Sequence, residues 1–248
     1  MRQALTPLAA VLALVASTAA AAPTPAAPSP VVVELFTSQG CNSCPPADAY
    51  LGELTKRAGV LALAFHVDYW NYIGWNDPFA KPWATGRQRA YQETMHQRYV
   101  YTPQMVVNGA AEGVGSEPGK IDPLIAAAAT KPPAGPSVAL HWLKDGALAV
   151  DVGDGASPQG QPATLWLVGY DKPHVTAVLR GENGGHSLTD YNAVRSYRRL
   201  GAWAGWSMEV VVPAEEAKAL SDGGVAVLLQ DQGTGPILSA ATIAQPGS

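Results

Sequence analysis

Cys41-Asn42-Ser43-Cys44 contains the only two cysteines in 248 residues. Two thiols at this spacing can close a disulfide with each other, and either sulfur can exchange with a thiol of another molecule. The flanking residues favour that chemistry. Val31-Val32-Val33-Glu34-Leu35-Phe36 is an apolar, β-rich run, and a helical pattern begins at Ala47. A strand that feeds a CxxC at the mouth of a helix sets the first cysteine at the positive end of the helix dipole, where thiolate is favoured. Cys41, nearer the solvent in this geometry, is then the attacking thiol, and Cys44 is the buried resolving thiol.

Other uses of the pair fit less well. As a structural crosslink, Cys41–Cys44 closes a loop of four residues. In the chain-entropy model that is worth roughly 2 kcal/mol, against about 4.7 for a loop of 100 residues. A structural zinc site needs four ligands, usually a second CxxC or a histidine pair, and neither stands at suitable spacing. Copper(I) accepts two or three soft ligands. Cys41 and Cys44 with His66, Met95 or Met105 would supply them, so a copper-binding or metallochaperone module is the rival reading.

Pro45-Pro46 qualifies the redox reading. A residue before proline is biased away from helical angles, so the helix is expected to start near Pro46. Two prolines also remove two backbone donors from its first turn. Both effects predict that Cys41 titrates nearer an ordinary thiol than a strongly acidic one.

The elements around the motif follow from hydrophobic patterning. Strands are expected at 31–36 and 59–65, each a continuous apolar run buried on both faces, with a helix at 47–57 between them. A loop at 68–83 carries Tyr69, Trp70, Tyr72, Trp75, Phe79 and Trp83. Most of these aromatics read as packing beneath a long connection. Trp70 and Trp75 leave the second strand at the CxxC end and are candidates to wall a substrate groove. His66, close by, reads as a satisfied structural histidine. A helix at 84–99 follows, then strands at 104–107 and 110–114 around Asn108-Gly109, a type I′ hairpin signal, and a helix at 121–129.

This β-α-β-α-β-β-α order over 31–130 resembles the thioredoxin fold. The CxxC lies at the first strand-to-helix junction. Thr102-Pro103 stands where that family carries its cis-proline, and Glu34 lies near the place of its buried proton-accepting carboxylate. The resemblance implies that Thr102-Pro103 is cis and faces the disulfide, with Thr102 offering its backbone to an extended substrate segment. It implies that Glu34 exchanges a proton with Cys44. The loop between Glu34 and Cys41 is one residue longer than in thioredoxins, which leaves a carboxylate rotated away as the alternative. The wider phrase from Glu34 to Asp48, with Gly181-Glu182-Asn183-Gly184-Gly185 and Gly201-Ala202-Trp203, is similar to an exported bacterial family known only as a domain of unknown function.

Residues 1–22 carry Arg2, an apolar Ala-rich run and small residues suited to cleavage, which reads as a secretory signal peptide. Residues 23–30 form a Pro/Ala spacer, 131–136 a Pro-rich linker, and 137–248 a series of short strands with frequent turns, expected as a β-sandwich-like domain. Export implies a periplasmic or secreted bacterial location, an oxidising compartment. Loss of Arg2 with the leader takes the net charge from −4 to −5 (15 Lys and Arg against 20 Asp and Glu), which argues against a nucleic-acid partner. No further segment is apolar enough to span a membrane. Arg195, Arg198 and Arg199 read as a solvated strand face. Hydrolase and nucleotide signatures are missing: Gly185-His186-Ser187-Leu188-Thr189 lacks the last glycine of a nucleophile elbow.

The sequence thus predicts an α/β thioredoxin-like N-terminal domain followed by an all-β, sandwich-like C-terminal domain. The expected activity is thiol–disulfide oxidoreduction on protein thiols or disulfides, with the Cys41–Cys44 couple as the only redox group. A non-catalytic binding protein on the same scaffold is a third reading.

Overall fold

The computed structural model describes residues 28–157 and 160–247. The signal peptide assigned to 1–22 and most of the spacer lie outside them. The first strand, β1 (Val31–Thr37), is buried at every position. It pairs in parallel with β2 (Val60–His66) and antiparallel with β3 (Gln104–Val107), which pairs with β4 (Ala111–Val114). The sheet order is β2-β1-β3-β4. Asn108 and Gly109 turn the β3–β4 hairpin with φ of 48° and 60°, the left-handed pair that a two-residue I′ turn requires.

Strand alternation sends the residues of β1 to opposite faces. Val31, Val33 and Leu35 join a core with Ala47, Leu51 and Leu54 of α1 (Pro45–Leu54) and Ile121 and Ile125 of α3 (Pro118–Ala129). Val32 and Phe36 join a second core with Ala84 and Tyr91 of α2 (Pro82–Thr94).

The second half contributes β5 (Val138–Trp142), β6 (Leu148–Val152), β7 (Ala163–Tyr170), β8 (His174–Ala177), β9 (Ser187–Asp190), β10 (Val194–Trp203), β11 (Met208–Val212), α4 (Ala214–Lys218), β12 (Gly224–Gln230) and β13 (Ile237–Ala244). These strands form a β10-β7-β12-β13 sheet, a β11-β6-β5 sheet and the β8-β9 hairpin. The first two close over a core that holds Leu148, Val150, Leu165, Leu167, Val227 and the fully buried Trp203.

The fold class differs from the one the sequence predicts. Among the described residues strand exceeds helix, 36% to 22%, and is spread over four small sheets, with no clear α/β thioredoxin-like domain set apart at the N-terminal end. The physical reason lies in the second core. Val168 of β7, Val194 of β10, Ala226 and Leu228 of β12, and Ile237 and Ala240 of β13 all pack with Val32, Phe36 and Phe65. One face of the first sheet is therefore covered largely by another sheet, not by helices. The edge of β2 also continues into the second half, where the Ala64 N–H donates to the Asn192 carbonyl at 3.0 Å. An apolar run shows that a strand is buried on both faces; it carries no information about what buries it.

Helix boundaries differ in smaller ways. α2 stops at Thr94, short of the expected 99, and His96 follows with φ 54°. Cys44 precedes a proline yet takes helical angles (φ −81°, ψ −36°) as the cap of α1, with Pro45 and Pro46 in the first turn. Pro45 and Pro46 bring no N–H to this turn, and the Ala47 and Asp48 N–H groups donate to the Cys44 carbonyl at 2.8 and 3.1 Å.

Candidate functional site

Cys41 and Cys44 are joined in a disulfide, with 5.4 Å between their Cα atoms. Cys44 is fully buried, and Cys41 is only 1% exposed. The greater solvent access expected for Cys41 is thus absent, because groups from three segments close over it. The Thr102 hydroxyl donates to Cys41 Sγ at 3.3 Å and accepts from Trp70 Nε1–H at 2.8 Å. Ser43 Oγ lies 3.3 Å from the same sulfur. The Thr102–Pro103 peptide bond is cis. Cys41, Cys44, Trp70, Thr102 and Pro103 therefore converge on one spot.

Trp75 stands one layer back. Its Nε1–H donates to Gln39 Oε1 at 3.0 Å, so it supports the loop that carries Cys41. That loop, Ser38 to Cys41, is pinned from several directions. The Gln39 N–H donates to Asp77 Oδ2 (2.8 Å), and its side-chain amide donates to Asp190 Oδ2 (2.7 Å). Asn183 Nδ2 donates to the carbonyls of Gln39 (2.9 Å) and Cys41 (3.0 Å). A side chain at Gly40 would come within 3.1 Å of the Trp70 Cβ, so the loop and the tryptophan approach closely.

Glu34 is not brought to the disulfide. It lies two residues from both Val32 and Phe36 and shares their strand face, so it faces the core opposite α1. There it receives Arg87 Nε at 2.6 Å and Arg87 Nη2 at 2.9 Å. Arg87 also donates to Tyr197 (2.6 Å), Tyr91 (2.8 Å) and Gln230 (3.1 Å). The longer loop after Glu34 leaves this strand face pointing away from the CxxC helix, and a buried ion pair occupies it.

A different set of ionisable groups lies on the disulfide side. Thr37 Oγ1 donates to Asp48 Oδ1 at 2.7 Å. His66, paired across the strands with Thr37, has Nδ1 at 2.7 Å from Asp77 Oδ2 and Nε2 at 3.6 Å from Asp190 Oδ1. Burial alone would lower His66, but Asp77, Asp190 and Asp48 overcome it and raise it from 6.5 to about 9. Burial raises Asp48 from 3.8 to about 7, against the pull of His66 and Thr37. Burial works to raise Asp77 as well, but His66 and the N–H groups of Gln39 and Phe79 bring it below its ordinary value. Asp190 is raised by burial.

Of the further donors proposed for copper beside the two cysteines, Met105 packs in the core on the α1 side with Leu35 and Ala47. His66 Nδ1 is occupied by Asp77, and Met95 packs against the core on the far side of β1. Elsewhere, Asp171, His174 and Asp222 place ligand atoms within 4.8 Å of one another. Arg195 Nε already bonds Asp171 Oδ2 at 3.1 Å, so the trio carries its own cation.

Residues 32–230 match the family model described as "Protein of unknown function (DUF1223)". The chain belongs to this family. Among solved structures, protein AGR_C_4864 from Agrobacterium tumefaciens superposes with a TM-score of 0.76 at 30% identity, over 90% of this chain and 97% of that one. HBP35 of Porphyromonas gingivalis superposes with a TM-score of 0.59 at 16% identity, over 89% and 76%, which is a likeness of fold alone. No curated protein matches.

Sequence reasoning passed over Asp48, Gln39, Asp77, Asn183 and Asp190. Asp48 had a local signal: four positions after Cys44, it shares a helix face with it. Asn183 lies inside a Gly-rich phrase already set apart. Asp77 and Asp190 reach the site only through the fold, from 36 and 149 positions beyond Cys41.

Proposed function

We propose that this chain is an exported thiol–disulfide oxidoreductase acting on protein thiols or disulfides of the periplasm or the extracellular space. The observation that carries the reading is the Cys41–Cys44 disulfide at the start of α1, with the Thr102 hydroxyl on Cys41 Sγ beside a cis Thr102–Pro103 bond. A partner thiolate attacks Cys41 Sγ, the Cys41–Cys44 bond breaks, and Cys44 leaves with the electron pair. A second partner thiolate then attacks the partner's own sulfur in the mixed disulfide, and Cys41 leaves as thiolate. The partner dithiol is oxidised and the Cys41–Cys44 pair reduced by two electrons; the reverse sequence reduces a partner disulfide. Thr102 supplies a hydroxyl that hydrogen-bonds the Cys41 thiolate, partly replacing the donors lost to Pro45 and Pro46. No helix among the described residues is long and apolar enough to cross a membrane.

Burial of Cys41 supports a second reading, in which the disulfide stays closed and the scaffold only binds. Trapping separates the two. A Cys44→Ser variant leaves Cys41 free to capture partners as stable mixed disulfides. Recovery of such adducts from the periplasm supports exchange; their absence, with the wild-type disulfide inert to dithiols, favours the scaffold. The equilibrium of the couple against glutathione then gives its direction.

A further inference from the structure

Cys44 is fully buried, so its thiolate cannot take a proton from bulk water. An isolated buried anion is costly, and each opening of the disulfide must deliver a proton to Cys44 from inside the protein. Glu34 is engaged with Arg87 on the opposite face of β1. On the α1 side, Asp48 stands one helical turn after Cys44. Cys44 has helical angles and its carbonyl accepts the Asp48 N–H, so residues 44 and 48 stack on one face with about 5–6 Å between Cβ atoms. Helical side chains lean back over the preceding turn, which carries the Asp48 carboxyl towards Cys44. Thr37 holds Oδ1 at 2.7 Å, and Oδ2 has no hydrogen-bond partner among the described residues.

We propose that the Asp48 carboxyl is the proton carrier of the Cys41–Cys44 couple, giving its proton to the Cys44 thiolate as the disulfide opens and recovering it as the disulfide closes. This rests on the exchange reading above. In the opening step the partner sulfur bonds to Cys41 Sγ, the S–S bond breaks, and the proton on Asp48 passes to Cys44 Sγ, leaving an Asp48 carboxylate. Three charged groups face it: His66 from β2, Asp77 from the loop after β2, and Asp190 from β9. The His66 imidazolium stabilises the new carboxylate, and Asp77 and Asp190 limit that stabilisation enough for the proton to return. Asp48 titrating at about 7 suits a group that both gives and takes a proton near neutrality.

The test uses the full chain, dithiothreitol as the partner, and alkylation after acid quench to count reduced protein. Rates are divided by the dithiothreitol thiolate concentration at each pH. The wild type is expected to show a constant normalised rate below about pH 7 and a fall above it. Asp48→Asn is expected to be slower by about 100-fold at pH 6, within the range for a positioned general acid, and to have no pH step. Asp48→Glu restores the step. Thr37→Val keeps Asp48 but removes a bond that favours its carboxylate, so the step moves to higher pH. Thiolate absorbance of the reduced protein gives a second readout: Cys44 titrates lower in Asp48→Asn, because a neighbouring negative charge is gone. A folded Asp48→Asn with the wild-type rate and step overturns the proposal. If Asp48→Asn does not fold, an unmoved step in Thr37→Val overturns it instead. A wild-type disulfide inert at every pH overturns this proposal and the exchange reading together, whereas exchange with an unchanged Asp48→Asn overturns this proposal alone.

Discussion

Glu34→Gln separates a structural from a chemical role for the one carboxylate that the sequence assigned to the disulfide. The substitution keeps the shape of the side chain and removes its charge. In the native protein the Arg87 guanidinium is fully buried and donates two bonds to the Glu34 carboxylate. Tyr91, Tyr197 and Gln230 accept further bonds from it, and the rings of Phe65, Tyr91 and Tyr197 lie 4.9–5.4 Å from its central carbon. Losing the carboxylate leaves a positive charge in an apolar core with neutral partners only. Breaking one side of a buried pair costs about 3–5 kcal/mol. The aromatic faces and hydroxyls hold the loss near the lower end of that range, at about 3 kcal/mol. Against a total stability of about 5–15 kcal/mol this is a large fraction. Equilibrium urea unfolding of the oxidised protein should show the midpoint falling with the slope unchanged. A Glu34→Leu, Arg87→Met double variant should recover most of the loss, because the unpaired charge is gone. The folded Glu34→Gln protein should keep the wild-type rate of reaction with dithiothreitol. A midpoint shift worth less than about 1 kcal/mol, or an intact fold with exchange cut tenfold or more, would refute this reasoning and return Glu34 to the disulfide.

Other outcomes follow from the same contacts. Asn183→Ala removes two hydrogen bonds to the Gln39 and Cys41 carbonyls; at about 1 kcal/mol each, the variant should unfold at lower urea and react faster with dithiothreitol as the Cys41 loop loosens. Trp70→Ala uncovers Cys41 and frees the Thr102 hydroxyl, so bulky thiols such as glutathione should gain more in rate than small ones, as measured by alkylation after quench. Stability should fall as pH rises. His66 binds its proton more tightly folded, so its contribution is complete below pH 6.5 and is lost as pH passes about 9. Asp48, also raised, adds a loss between about pH 4 and 7. Urea midpoints across pH should show both limbs, with the alkaline one absent from His66→Gln.

The sequence by itself determined the chemistry-bearing pair and its local stage. Two cysteines at CxxC spacing after an apolar run, Thr102-Pro103 before β3, and Asn108-Gly109 at a hairpin are short-range signals. Each depends on backbone geometry within a few residues. Asp48 was legible by the same logic, as the residue one turn after Cys44. What only the tertiary structure decided is which faces meet. Glu34 looked like a partner for Cys44 because it stands near the place of the buried proton-accepting carboxylate of thioredoxins, but strand alternation and the longer loop turn it towards Arg87, Tyr197 and Gln230, the last two supplied by β10 and β12. Asp77, Asn183 and Asp190 reach the CxxC loop from segments with no periodic relation to it. The covering of the first sheet by the β10-β7-β12-β13 sheet is of the same kind. Periodicity records that a side chain is buried, while the identity of its neighbours is set by how separate elements share a core.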